Sequence, residues 1–118
     1  MDDKLNYFGK ILISDVRDRT IHGFDMRITG MMKDEGSQKL YEEIKKMDNK
    51  QIELIKKIIP QIVDLSLHNM LCMIEENTKI KVQIENECID KISDGLAGEL
   101  YSEDGWIQRF SKERCEEI

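Results

Sequence analysis

Apolar residues recur at helical spacing along most of the chain, and polar or glycine-bearing clusters separate the runs. Between residues 4 and 30 the apolar positions include Leu5, Phe8, Leu12, Val16, Phe24 and Ile28, mostly at steps of four or multiples of four. An α-helix turns once in about 3.6 residues, so a strict step of four drifts by roughly 40° each time. This predicts one long helix with a winding stripe, which either bends or packs its two halves on different neighbours. Gly30 suits its end. Residues 31–36 read as a connection. Ser37 is the expected N-cap of a short helix carrying Leu40, Ile44 and Met47.

Asp48 followed by Gln51 is a capping-box spacing, and it opens a third helix expected over 49–77. Ile52, Ile55, Ile59, Ile62, Ser66, Met70 and Met73 share one face there. Ile58, Val63, Leu65, Leu67, Leu71, Cys72 and Ile74 widen the apolar surface until little of the circumference is polar. Pro60 lies inside this run and predicts either a kink over 56–60 or a break with Pro60 in the first turn of a new helix. Over 78–84, Ile80, Val82 and Ile84 alternate with polar residues, which is the strand period. A strand needs a partner and none of quality stands out, so a loop or a helix start are alternatives. Cys88, Ile89 and Ile92 fit a helical turn, and Ser93-Asp94-Gly95 interrupts it. Residues 96–101 and 103–110 read as two short helical pieces divided at Ser102, and 112–118 as a charged, frayed end. The expectation is an all-α bundle of four to five helices within a single domain, 1–118. Its first and third helices are long, and a short extended segment is possible at 78–84.

Composition narrows the function more than the fold. The net charge is -6, but residues 1–60 hold 12 Lys/Arg against 11 Asp/Glu, whereas residues 61–118 hold 6 against 13. An acidic second half without a basic stripe argues against nucleic acid as a partner; it suits simple solubility, the favoured reading, or a contact with another protein of basic character. The chain opens Met1-Asp2-Asp3-Lys4, with no leader-length apolar run after it and none long enough to cross a membrane. Cys72, Cys88 and Cys115 are odd in number and widely spaced, so neither a disulfide framework nor a zinc knuckle is expected. These features fit a cytoplasmic protein. Its Ile- and Lys-rich, Ala-poor composition is that of an AT-rich bacterial genome.

Two constellations could carry chemistry. Asp18 and His22, and Asp64 and His68, are each four residues apart, and residues so spaced stack on one helix face. Two such pairs facing each other across a bundle would offer a transition metal two carboxylates and two imidazoles. The bland reading is favoured, because Asp64 and His68 fall opposite the apolar face of the third helix and Asp15, Asp18, His22 and Asp25 form a polar stripe. No metal or other cofactor is therefore expected, and no nucleophile signature is present. Gly95-Leu96-Ala97-Gly98 lacks the remaining glycine and the preceding strand of a dinucleotide loop.

The second constellation is the stretch 92–111, where Tyr101, Trp106 and Phe110 are mixed with Asp94, Glu99, Glu103 and Asp104. Aromatic anchors with acidic steering charges suit a partner-binding patch. The bland reading, which makes Trp106 and Phe110 core residues that close the bundle, is favoured.

This stretch, with the opening Leu-Asn-Tyr-Phe-Gly-Lys-Ile-Leu-Ile-Ser-Asp-Val-Arg-Asp-Arg, resembles a family of small bacterial proteins. The likeness covers about a third of the chain. That family has no assigned activity, so the resemblance implies no residue roles. The expected function is a non-catalytic interaction module, such as an adaptor, antitoxin or immunity-type inhibitor. A small metal-binding or hydrolytic enzyme using the Asp/His pairs is the alternative. The broad apolar surface of the third helix exceeds what one short helix covers, and a homodimer is one expected way to cover it.

Overall fold

A computed structural model describes residues 3–113, and the fold is all-α with one minimal hairpin. The first long helix is continuous but changes its winding. It begins as α1 (Asp3–Ile11), passes through a π-helical segment (Leu12–Asp18) and ends as α2 (Arg19–Ile28). The wider π turn slows the angular advance per residue and so offsets the drift of a four-residue step. Gly9, Ile13, Arg17 and Ile21 thereby stay on one buried face. Val16, expected in the apolar stripe, is turned outward, and the buried position beside it goes to Arg17. Gly30 ends the helix at a φ of 82°, with the Met31 N–H donating to Met26 O at 2.9 Å, the Schellman arrangement.

The next helix, α3 (Glu35–Ile44), starts earlier than expected. Its N-cap is Asp34, whose side chain accepts from the Ser37 N–H at 3.0 Å. Ser37 is instead a buried residue of the first turn, and its hydroxyl accepts from Arg27 Nε at 2.7 Å. Hydrogen bonds from Ser37, side chain first and backbone second, hold the Asp34 carboxyl below its usual value of 3.8, and the nearby Arg27 charge adds to this. A lowered folded value means that the stabilisation is present above the ordinary carboxylate range and is lost as pH falls through the lowered value. The Asp34→Asn variant, which can still cap, should lose this acid-limb dependence of α3 while keeping its neutral-pH helicity. Circular dichroism across an acid titration reads the difference, and an unchanged acid limb would remove Asp34 from the account.

The capping box forms as the spacing predicts: Gln51 N donates to Asp48 Oδ1 at 2.9 Å, and Asp48 N donates to Gln51 Oε1 at 3.0 Å. It opens α4 (Asn49–Glu76), which runs 28 residues straight through a buried Pro60 without the break that was one expectation. The extended segment does find a partner. Strands β1 (Gln83–Ile84) and β2 (Glu87–Cys88) pair antiparallel, Gln83 opposite Cys88 and Ile84 opposite Glu87. Glu85 and Asn86 form the two-residue turn with φ of 49° and 72°, the primed geometry that matches strand twist. Beyond it come α5 (Ile89–Ile92), a 3-10 turn (Ala97–Leu100) and α6 (Trp106–Phe110), with Ser102 at a φ of 78° separating the last two.

The core has two parts. Ile21, Ile28, Ile44 and Ile59 pack α2, α3 and the first half of α4 together. Leu12, Ile13, Leu67, Leu71, Ile74, Ile89, Leu96, Leu100, Trp106 and Ile107 join the start of the chain to the rest of α4 and the irregular C-terminal section. Val63 packs against both. The two halves of the first helix thus do pack on different neighbours. The molecule is elongated, 49 × 29 × 21 Å, and α4, at about 1.5 Å per residue, runs nearly the length of it.

Candidate interaction surface

Arg17 organises the polar groups that the sequence singled out. Its side chain is only 1% exposed. Nε donates to Asp64 Oδ1 at 2.6 Å and Nη2 reaches Asp64 Oδ2 at 3.4 Å, a fork onto α4. Nη1 donates to Asp18 Oδ1 at 3.2 Å, to Ser111 Oγ at 2.8 Å and to Glu113 O at 2.7 Å. Asp18 in turn accepts from Ser111 Oγ and from the Lys112 N–H, both at 2.7 Å. Asp18 and Asp64 are therefore brought together around a guanidinium, which ties the first helix to α4 and to the stretch after α6.

The histidines bond to neither of these carboxylates: His22 lines the same groove as Asp18, and His68 lies apart. His22 is 66% exposed at its side chain, in a groove with Lys10, Arg19, Arg109 and Lys112, and its Nδ1 is 3.9 Å from Glu113 Oε1. His68 is half-buried, with Nε2 3.5 Å from Cys72 Sγ and its ring tilted against Tyr101, centroids 5.8 Å apart. Its Nδ1 is buried without a hydrogen-bond partner among the described residues. Among those residues no group of three or more His, Cys, Asp or Glu side chains is placed to hold a metal ion.

The aromatic and acidic stretch divides. Trp106 is fully buried, its indole against Gly9 and edge-on to Phe8, so it is a core residue and presents nothing to a partner. Phe110 is half-buried with Arg109 over its ring. Glu99 accepts from Ser93 Oγ at 2.9 Å and helps fold its own loop. Asp94, Glu103 and Asp104 are exposed, and Tyr101 is 40% exposed on the flank of α4. Partial burial pushes the Tyr101 phenol upward, and the charges of Asp64 and Cys72 add to the shift.

α4 also carries an exposed apolar stripe, which the sequence indicated only as excess area. The core side of α4 carries Ile59, Val63, Leu67, Leu71 and Ile74. On the opposite side Leu54, Ile58, Ile62, Leu65 and Met73 are all exposed, Ile62 at 60% and Leu65 at 59%. These five fall within an arc of roughly 100° on a helical wheel and span about 28 Å of helix. Ile62 and Met73, expected on the core face with Ile59, point outward because the core takes the Val63–Leu67–Leu71–Ile74 side instead. Shallow depressions close the two ends of the stripe. One is lined by Asn49, Lys50, Glu53, Leu54 and Lys57, the other by Asn69, Cys72, Met73, Glu76 and Asn77.

No family model, curated protein or solved structure matches the chain. Among the described residues no helix is long and apolar enough to cross a membrane. Cys72 and Cys88 carry free thiols.

Proposed function

We propose that the chain is a non-catalytic protein-interaction module, an adaptor or inhibitor of the cytoplasm, which docks through the outer face of α4 with Tyr101 at its edge. The observation that carries this reading is the stripe Leu54–Ile58–Ile62–Leu65–Met73, exposed along a helix whose opposite side already fills the core. A helix of a monomer keeps its outer face polar, because apolar area left in water forgoes about 25 cal/mol per Å². An exposed apolar strip of this kind, interrupted only by Asn69, marks an interaction site. Helix-in-groove and helix-on-helix recognition both use anchors at steps of three and four, the spacing found here.

A photo-crosslinking side chain placed at position 62 or 65 in the expressing cell tests this. Both sites should give a discrete protein adduct, and the same group at exposed Glu42 on α3 should give none. Equal, diffuse labelling at all three positions would remove the docking face.

A further inference from the structure

We infer that the occupant of this face is a second copy of the chain, with its α4 antiparallel to the first. This inference rests on the docking reading above and names its partner. Two features of α4, and the surface relief at the ends of the stripe, argue for self-pairing.

The stripe is nearly symmetric about a midpoint between Val63 and Asp64. Turning the helix end for end about that point sets Leu54 opposite Met73, Ile58 opposite Asn69 and Ile62 opposite Leu65. A two-fold interface requires this self-complementarity, because residue i of one copy must meet residue j of the other and the reverse. A face shaped for an unrelated partner has no reason to possess it. The most exposed pair of the stripe, Ile62 and Leu65, falls at the midpoint, where both copies bury it together.

The charges along α4 are also polarised. Its first half carries Lys50, Lys56 and Lys57 against a single acid, Glu53. Its second half carries Asp64, Glu75 and Glu76 and no lysine or arginine; Asp64 is engaged by Arg17 and Glu75 accepts from the Ala97 N–H, so Glu76 is the exposed acid that the pairing uses at that end. A parallel pair would set lysines against lysines and acids against acids. The antiparallel pair sets the lysine end of each copy beside the acidic end of the other, with Lys50 and Glu76 about one helical position apart.

The surface relief agrees with both. The depression around Leu54 with Lys50 and Lys57, and the depression around Met73 with Glu76, lie at the two ends of the same stripe. Antiparallel pairing superposes them, so that the Leu54 side chain of one copy meets the Met73 hollow of the other. Tyr101, on the flank near His68, would then border the seam and extend the apolar contact beyond the helix. The pairing runs side by side along the long axis of an elongated molecule, which maximises the contact that a single helix can make.

Sedimentation velocity on the full chain between about 1 and 100 µM tests the pairing. The expected species has twice the 13.9 kDa chain mass. Ile62→Asp combined with Leu65→Lys should raise the dimer dissociation constant by about a hundredfold, because both sites sit at the centre of the interface. Both side chains are exposed, so unchanged thermal unfolding at low concentration checks that the fold is intact. Lys50→Glu and Glu76→Lys should each weaken the dimer alone, and an equimolar mixture of the two variants should associate again. A photo-crosslinker at position 54 fixes the direction. A bond to residues around Met73 of a second copy supports the inference, and a bond to residues around Leu54 overturns it. A monomer at all concentrations that still crosslinks a different protein through positions 62 and 65 sinks the dimer and leaves the docking face standing. A monomer with no adduct at all sinks both.

Discussion

Replacing Arg17 by methionine is expected to destabilise the fold by about 3–5 kcal/mol, the usual cost of removing one member of a buried charged network. Methionine keeps most of the stem volume, so the loss reports the charge and its hydrogen bonds more than packing. The guanidinium is 1% exposed and Asp64 and Asp18 are 22% and 12% exposed at their side chains, so neither carboxylate recovers full hydration once the arginine has gone. The bonds from Arg17 to Ser111 Oγ and Glu113 O disappear with it, which leaves this stretch held by Asp18. Arg17→Lys should recover little, because one ammonium cannot reach Asp64, Asp18, Ser111 and the Glu113 carbonyl at once. Arg17→Met with Asp64→Leu should recover part of the loss, since the orphaned carboxylate is then absent. Urea unfolding of the three variants measures this, and a loss below about 1 kcal/mol for Arg17→Met would show that the network adds little.

Gly9→Ala and Gly23→Ala should move stability in opposite directions, although both lie in the first long helix. In a helix interior alanine is favoured over glycine by about 0.5–1 kcal/mol. Gly23 has nothing within 4 Å of the space a Cβ would take, so it should show that gain. At Gly9 the Cβ would lie 2.5 Å from Cδ2 and Nε1 of Trp106, with the indole fully buried and braced by Phe8 at 5.9 Å between ring centroids. The ring cannot swing aside without opening the second cluster, so the expected cost is about 1–3 kcal/mol or more. The only tryptophan reports its own displacement, as a red shift of its emission. A Gly9→Ala protein as stable as Gly23→Ala would mean that the indole does not rest on that glycine.

What the sequence revealed and what it hid follow from the range of the interactions involved. Local devices were legible: the Asp48–Gln51 box, the Gly30 stop and the break at Ser102 each depend on residues within a few positions. The short-helix cap shifted from Ser37 to Asp34 because both residues are good caps and only tertiary burial of Ser37 decides between them. The hairpin escaped notice because its second strand is two residues long, and its turn relies on Glu85 and Asn86 at positive φ without a glycine. The π-helical segment left a trace in the four-residue steps, but the steps do not reveal that an arginine would occupy the inward position. For Arg17 the carboxylates that make burial tolerable come from α4, far along the chain. The Asp and His spacings were real helix-face neighbours, yet Asp18 and Asp64 serve that arginine while His22 and His68 point to different surroundings. On α4 the excess of apolar positions was visible, but which side met the core was not, because both sides satisfy the helical period. For Trp106 the sequence supported both a core and a partner-binding reading; the core reading, the favoured one, holds, and what the sequence did not show is that Gly9 makes room for the indole.

Synthesis from the N-terminus leaves the two halves of the core uncovered for different lengths of time. The cluster built on Ile21, Ile28, Ile44 and Ile59 can close once Val63 has emerged, because all its members are near in sequence. Phe8, Leu12 and Ile13 must wait for Ile89, Leu96, Leu100 and Trp106, which at about 5–20 residues per second is a delay of some seconds. During that interval both sides of α4's second half are bare and the start of the chain has nothing to pack on. Ser111 and Glu113 then lock onto Arg17 and join the C-terminal section to the first helix. A chain that has been made only as far as residue 95 therefore lacks Leu96, Leu100 and Trp106, and its own beginning is left without the partners that cover it.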